Sequence, residues 1–206
     1  MIKITDINQL DFNKQYTYAD YLTWQFQERV ELIKRWLYKM PALPSSISPA
    51  PRRIHQEIKG SIYFEICKFT NLKTCKIYQF SFDVRLKRNK DGQNEINAVL
   101  QPDICVICDE TKRDDAGCEG DPDLMIEILS DSIAKINYNE KFNLYEENGV
   151  KEYWIVNPAS RNIELFSLSD GCYVSLGLFD ESEGVETVHG NLFPELEIEL
   201  KTIFKT

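Results

Sequence analysis

An apolar segment with a glutamate at its centre sets the strongest limit on how this chain can fold. The segment, residues 123–130 (DLMIEILS), places apolar side chains on both faces of an extended backbone, which is typical of a strand buried on both sides. Glu127 lies in its middle. An ionised carboxylate inside a dry sheet costs several kcal/mol unless it is paired or binds a metal. Either this segment is exposed, or Glu127 has such a partner.

A second apolar segment, residues 98–109 (AVLQPDICVICD), also predicts a central strand, and it carries Asp103 directly after Pro102. Because proline donates no backbone hydrogen bond, full pairing of this strand should begin after it. Strand and helix patterns alternate along the rest of the chain: a strand near 30–33, a helix over about 52–69, one half-buried strand over 77–86, a helix from near 130–132 to Gly149, and three strands between 151 and 179. This order predicts an α/β (α+β) fold with a mixed β-sheet flanked by helices.

The composition is that of a folded protein. With 206 residues, of which 43% are hydrophobic, the chain can fill the core of a single domain. It contains no apolar run of about 18 residues, the length of a membrane helix, and no export signal at its start. We therefore expect a cytoplasmic protein without membrane contact. The formal net charge of −9 argues against broad, non-specific affinity for nucleic acid.

Six cysteines raise the question of disulfides or zinc. Without an export signal, free thiols are the prediction. Cys105 and Cys108 are spaced like a metal-binding pair, but residues three apart on a strand point to opposite faces of the sheet. The chain has two histidines and no second cysteine pair of this spacing, so we do not expect zinc. The cysteines are expected to act as small buried hydrophobic residues.

The two central segments together predict a metal site. If their strands are neighbours, Asp103 and Glu127 meet, and two carboxylates so close repel unless a cation lies between them. Mg²⁺ binds through one or two carboxylates and keeps several waters. On the following helix, Lys141 lies beside the aromatic side chains Tyr138 and Tyr145, and its ammonium group can extend toward Glu127. Two acids and a lysine are the minimal set for metal-dependent phosphodiester hydrolysis.

Several phrases of the sequence resemble the Uma2 family, also known as DUF820. They are QPDICVICD, GDPDLMIEILSDS and EKFNLYEENGVKEYWIVNP, preceded by VELI, HQEI and FDVRL, and the likeness runs from about residue 16 to the C-terminal LFPELEIEL. This family is similar to the PD-(D/E)XK nucleases, which have a restriction-endonuclease-like fold. The resemblance implies a single nuclease-like domain over 1–206, with an N-terminal extension (1–51), a core (about 52–168) and C-terminal strands (172–206).

The resemblance also implies roles for individual residues. Asp103 would be the acid of the PD motif and Glu127 the acid of the (D/E)XK element, and these two would bind Mg²⁺ or Mn²⁺. Leu129 occupies the position of the usual motif lysine, and the next helix supplies Lys141 instead. Four further residues are candidates for accessory roles, with a structural role as the open alternative for each: Asp83, Glu31, His55 and Asp123.

The sequence departs from the family pattern at several positions. Asn137 and Asn157 stand where aspartates are usual, and Lys34-Arg35 replaces an Asp-Gly turn. The resemblance predicts a Mg²⁺-dependent endonuclease with DNA as its substrate. A nuclease-fold protein that has lost catalysis and serves as a binding or assembly module is the alternative, and hydrolysis of another phosphoester is a third. A homodimer is an option, because many nucleases with one site per chain dimerise to cut both strands.

Overall fold

The computed structural model describes residues 3–40, 53–70, 74–90, 93–129 and 137–205. The α-helices within these residues are α1 (Tyr18–Tyr21), α2 (Arg53–Thr70), α3 (Asn137–Glu147) and α4 (Leu200–Ile203). The strands are β1 (Val30–Ile33), β2 (Trp36–Lys39), β3 (Lys76–Gln79), β4 (Val84–Lys90), β5 (Gln93–Leu100), β6 (Ile104–Ile107), β7 (Arg113–Asp114), β8 (Gly117–Glu119), β9 (Leu124–Ile128), β10 (Glu152–Asn157), β11 (Asn162–Ser169), β12 (Cys172–Asp180), β13 (Thr187–His189) and β14 (Glu197–Glu199).

Two six-stranded sheets and one two-stranded sheet contain these strands. The central sheet has the order β12-β11-β10-β9-β6-β3, and the second sheet has the order β2-β1-β5-β4-β8-β7. In the central sheet β9 and β10 are parallel, and α3 lies in the connection between them, as a parallel pair requires. The other pairs of this sheet are antiparallel. The predicted α+β fold with a mixed sheet and flanking helices is confirmed.

Both faces of the central sheet are covered. On one face, α2 packs Ile58, Ile62 and Ile66 against alternate residues of β9 such as Ile126. On the other face, the intervening residues of β9 pack against α3 and against the second sheet, in a cluster that includes Met125, Cys105, Leu144, Tyr145, Val84 and Leu86. Burial on both sides explains why the segment around Glu127 is apolar throughout. The first of the two alternatives for that segment, exposure to solvent, is therefore wrong.

Two predicted strands are each divided between the sheets. The segment 77–86 forms β3 of the central sheet and β4 of the second sheet, and the segment 98–109 forms the end of β5 and then β6. The prediction of one continuous strand over 77–86 is wrong, because alternation of apolar residues continues across the point where the chain changes sheets. The two points at which the chain passes from one sheet to the other are adjacent, because the backbone N–H of Phe80 donates a hydrogen bond to the carbonyl oxygen of Asp103 (3.3 Å). Pairing of β6 begins after Pro102, as predicted.

The first hairpin brings an N-terminal strand into the second sheet. β1 pairs with β2 through the two-residue turn Lys34-Arg35 and also pairs with β5, where Leu32 lies opposite Val99. Both turn residues have positive φ (50° and 72°), the conformation that Asp-Gly or Asn-Gly adopts most easily in such a turn. β1 is buried along its whole length and carries Glu31 at the interior of the fold.

The cysteines are only partly as predicted. Cys75 and Cys108 form a disulfide, whereas Cys67, Cys105, Cys118 and Cys172 are free. The prediction of six free thiols is wrong for this pair because the sequence does not reveal the antiparallel pairing of β3 with β6. In that pairing Lys76 lies opposite Ile107, so Cys75, just before Lys76, comes next to Cys108, just after Ile107. Cys105 and Cys108 do face opposite sides of the sheet, as predicted.

Most other predicted elements are confirmed. The strand near 30–33 is β1, the helix over about 52–69 is α2, and the three strands between 151 and 179 are β10, β11 and β12. The helix α3 ends before Gly149, which has a φ of +84°, but its predicted start near 130–132 lies outside the described residues. In the part of the chain that the structure describes, no helix is both long and apolar enough to cross a membrane.

A buried carboxylate fastens the C-terminal segment to the central sheet. Glu152, at the start of β10, accepts hydrogen bonds from the indole nitrogen of Trp154 (2.7 Å) and from the backbone nitrogens of Asn191 (2.6 Å) and Leu192 (2.7 Å). Replacing it with alanine leaves three donors without their acceptor. We expect Glu152→Ala to lower the free energy of unfolding by roughly 3 kcal/mol or more, measured by urea denaturation.

The matched control is Glu183→Ala, at an exposed position. The free energy of unfolding of this variant should stay within about 0.5 kcal/mol of the wild-type value. Equal stabilities of the two variants would show that the carboxylate of Glu152 does not fasten the segment.

Candidate active site

Asp103 and Glu127 lie on neighbouring strands. β6 and β9 are antiparallel hydrogen-bonded partners in which Ile104 is opposite Ile126. The same register places Asp103, which directly precedes β6, opposite Glu127 near the end of β9. The predicted adjacency of the two acid-bearing strands is thus confirmed. The acids lie at the edge where the two sheets meet, because the chain passes from β5 to β6 at this point.

Asp103 is held in its ionised form. Its Oδ2 accepts a hydrogen bond from the backbone N–H of Ile128 (2.9 Å) and lies 3.3 Å from Nε2 of His55, in the first turn of α2. Burial by itself raises the pKa of Asp103, but His55, the Ile128 N–H and the charge of Lys59 outweigh it, and the pKa is lowered overall. His55, predicted as an accessory residue, therefore lies beside Asp103.

Glu127 has the partner that its burial requires. Its Oε1 accepts hydrogen bonds from Nζ of Lys141 (2.8 Å) and from the hydroxyl of Tyr145 (2.8 Å), two residues one helical turn apart on α3. Burial raises the pKa of Glu127 to about 7; Lys141 opposes this shift, while Glu31 and Asp103 add to it. Because the pKa of Tyr145 is raised well above its usual value by burial, its hydroxyl keeps its proton and acts as a donor.

Lys141 joins two carboxylates. Its Nζ lies 3.1 Å from Oε2 of Glu31 as well as 2.8 Å from Glu127, and its side chain is almost fully buried. Burial by itself lowers the pKa of Lys141, but the attraction of the two carboxylates is stronger, so the pKa is raised and the ammonium stays charged. Glu31 has no exposed surface and also accepts a hydrogen bond from the backbone N–H of Gln101 (2.9 Å).

The two remaining accessory candidates lie at different distances from this cluster. Asp123 is four residues before Glu127, about 13 Å away along the strand. It accepts hydrogen bonds from the backbone N–H of Cys108 (2.6 Å) and from Lys151 (2.6 Å), so it fastens a loop instead of meeting the other acids.

Asp83 accepts hydrogen bonds from the hydroxyl of Tyr21 (3.0 Å) and from the side-chain amide of Gln101 (2.8 Å). Through Gln101 it is linked to Glu31.

The asparagines at the predicted aspartate positions contribute no acid to the cluster. Asn157 accepts backbone hydrogen bonds from Ala159 (3.0 Å) and Ser160 (3.2 Å) and so stabilises the turn after β10. Asn137 is the first residue of α3, and its side chain lies outside the described part of the structure.

Sequence reasoning missed two cations beside the acids. The guanidinium of Arg29 and the ammonium of Lys59 both interact electrostatically with Asp103, and both lie against the ring of Phe80. A signal for each was present. Arg29 stands two residues before Glu31, hence on the same side of an extended segment, and Lys59 stands one helical turn after His55.

The acids have the chemistry of a site for Mg²⁺ or Mn²⁺. Asp103 and Glu127 each use one carboxylate oxygen in the hydrogen bonds above, and among the described residues the other oxygen, Oδ1 or Oε2, accepts none. The described residues contain no group of three or more acidic, histidine or cysteine side chains placed to hold a metal ion. Mg²⁺ does not need three, because it binds through one or two carboxylates and retains water. The donor set therefore fits such an ion.

Comparison with known proteins shows related sequences and a related fold. A family model described as "Putative restriction endonuclease" matches residues 18–201. Among solved structures, the chain is similar to the crystal structure of a "putative nuclease belonging to DUF820" from Anabaena variabilis, with a TM-score of 0.67 and 16% sequence identity. The alignment covers 92% of this chain and 97% of that chain. No curated protein matches the chain significantly. At 16% identity, the structural similarity concerns the fold.

Proposed function

Because the chain belongs to the Uma2 family of restriction-endonuclease-like proteins, we propose that it is a metal-dependent endonuclease that hydrolyses phosphodiester bonds of DNA. One observation carries the proposal. The buried ammonium of Lys141, on α3, lies between Glu31 on β1 and Glu127 on β9, and β9 pairs with β6, the strand that Asp103 directly precedes. Two acids from neighbouring strands and a charged lysine are the groups that phosphodiester hydrolysis with a divalent ion requires.

Asp103 and Glu127 would hold Mg²⁺ or Mn²⁺ through Oδ1 and Oε2. When bound, such an ion supplies charge that polarises the scissile phosphate and acidifies a water molecule. Lys141 holds Glu127 by Oε1, which leaves Oε2 available and fixes its direction. Its ammonium also provides a preorganised positive charge where negative charge develops during attack on phosphorus. His55 and the Ile128 N–H keep Asp103 ionised and oriented.

The second candidate function is a nuclease-fold protein without catalysis that serves as a binding or assembly module. Two observations favour it. The formal net charge is −9. Asn157 stands where the family pattern leads us to expect an aspartate, and its side chain accepts hydrogen bonds from the turn after β10. Such a protein would bind DNA or a protein partner without cutting, whether or not a divalent ion is present.

Incubation of the full chain with supercoiled plasmid tests the proposal. We expect cleavage with Mg²⁺ or Mn²⁺ and none with EDTA, because the two carboxylates provide no charge compensation at the phosphate by themselves. Nicked product would indicate that one copy acts at a time, and linear product would indicate that two copies act together. Absence of cleavage with both ions, together with retained partner binding, would select the second candidate.

A further inference from the structure

Building on the proposed function, we propose that Arg29 and Lys59, both packed against Phe80, form a subsite that binds the phosphodiester backbone of the nucleic acid next to the acidic cluster. Nothing in the hydrolytic scheme above uses these two cations. Among the described residues, neither cation forms a direct ion pair with an acid, although both lie within the electrostatic reach of Asp103. Both are therefore free to contact an anion directly, and a phosphodiester has to lie beside the neighbouring acids.

Arg29 directly precedes β1, and its guanidinium carbon lies 3.6 Å from the centre of the Phe80 ring. Among the described residues its side chain makes no hydrogen bond and no ion pair within 4.0 Å, and its Nε is buried without a partner. Its guanidinium nevertheless interacts electrostatically with Glu31, Asp103 and Glu127. Arginine remains protonated in proteins, so this is a charged group without a direct counter-ion at the edge of the acids.

Lys59 lies on α2 and is only 7% exposed. Its Nζ is 5.9 Å from the centre of the Phe80 ring, and within the described residues it neither donates a hydrogen bond nor forms an ion pair. The field of its charge helps to lower the pKa of Asp103. The stem of Lys59 is buried while its ammonium has no direct anionic partner among the described residues, so this charge is available to a ligand beside Asp103.

Phe80 fixes both cations next to the site. Its backbone N–H donates to the carbonyl oxygen of Asp103, so the ring is anchored to the residue that carries the acid of the PD motif. An aromatic ring holds a guanidinium in one plane, which reduces the entropy lost when a ligand binds. A guanidinium fork matches the two non-bridging oxygens of a phosphodiester, and a nearby ammonium adds a point charge.

The salt dependence of DNA binding tests this subsite. The probe is a fluorescently labelled mixed-sequence duplex of about 20 base pairs, bound to the full chain with Ca²⁺ in place of Mg²⁺, and affinity is measured by anisotropy over a salt series. We expect the slope of log affinity against log salt to fall in magnitude by about 0.9 for Arg29→Gln or Lys59→Gln and by about 1.8 for the pair. Lys68→Gln, on the same helix but paired with Glu65 at the surface, should leave the slope unchanged.

Stability provides a second readout. A lysine without a direct ion pair in the free protein gains little folding free energy from its charge, so Lys59→Gln should leave the unfolding midpoint nearly unchanged or raise it. A structural lysine would lower that midpoint. If Arg29→Gln does not fold, Arg29→Lys serves instead, and it should keep the slope while weakening affinity, because the charge remains and the fork is lost.

The outcomes separate this subsite from the proposed hydrolysis. An unchanged salt slope in the folded double variant overturns the subsite even if the wild type cleaves DNA. The predicted loss of slope in a protein that never cleaves supports the subsite and overturns the hydrolysis. A wild type with no measurable affinity for the duplex overturns both.

Discussion

Replacing Glu127 with glutamine should reduce the rate of metal-dependent cleavage by about a thousandfold or more while leaving the fold intact. A thousandfold loss corresponds to about 4 kcal/mol of transition-state stabilisation, within the range that a metal ion supplies. Glutamine has the same shape, and its Oε1 can still accept from Lys141 and Tyr145. Its neutral amide is a much weaker ligand for a hard cation than a carboxylate. Because burial already raises the pKa of Glu127 to about 7, a neutral side chain is tolerated at this position.

Single-turnover cleavage and calorimetric titration with Mn²⁺ measure the effect of Glu127→Gln on rate and on metal affinity separately. The matched control is Asp123→Asn, a carboxylate on the same segment whose hydrogen bonds go to Cys108 and Lys151. This control should retain the wild-type rate, although it lowers stability. Full cleavage by Glu127→Gln, or an equal loss in both variants, would contradict the assignment of Glu127 as a metal ligand.

The pairing of Glu127 was predictable because both partners lie in one short stretch of chain. The strand, the following helix and the spacing of its aromatic residues place Lys141 over Glu127, and the structure has them 2.8 Å apart. Burial of an acid in an apolar strand demands a partner, and only local geometry is needed to find one. The same reasoning fails for Glu31, whose contact with Lys141 depends on the pairing of β1 with β5 across about 70 residues.

Long-range pairing also explains the other errors. The disulfide between Cys75 and Cys108 follows from the register of β3 and β6, which a local pattern does not contain. The segment 77–86 alternates regularly although the chain changes sheets within it, because both sheets present apolar faces to the same core. Arg29 and Lys59 become neighbours only through Phe80, at one of the crossings between the sheets.

Replacing Lys141 with methionine should affect both stability and cleavage. Methionine fills a similar volume, but Glu31 and Glu127 then share a buried site without the ammonium that pairs directly with both, and removal of one member of a buried pair costs about 3–5 kcal/mol. Without Lys141, which opposes the rise in its pKa, Glu127 should have a pKa above 7. When folding raises the pKa of an acid, the folded protein is more stable at low pH, where the acid is protonated, than at high pH, where it must be ionised. The loss of stability, measured by urea denaturation, should therefore be larger at pH 8 than at pH 5.

Cleavage by Lys141→Met should fall by roughly a hundredfold to a thousandfold, which is the effect of removing one preorganised donor at a site of developing charge. Loss of stability alone can mimic this fall, so a second substitution is needed to separate the two causes. In the Lys141→Met background, Glu31→Gln removes one of the two uncompensated carboxylates and should recover much of the unfolding free energy. It restores no positive charge beside Glu127, and the cleavage rate should therefore remain low. Recovery of cleavage together with stability would mean that Lys141 serves the fold and that hydrolysis does not use its charge.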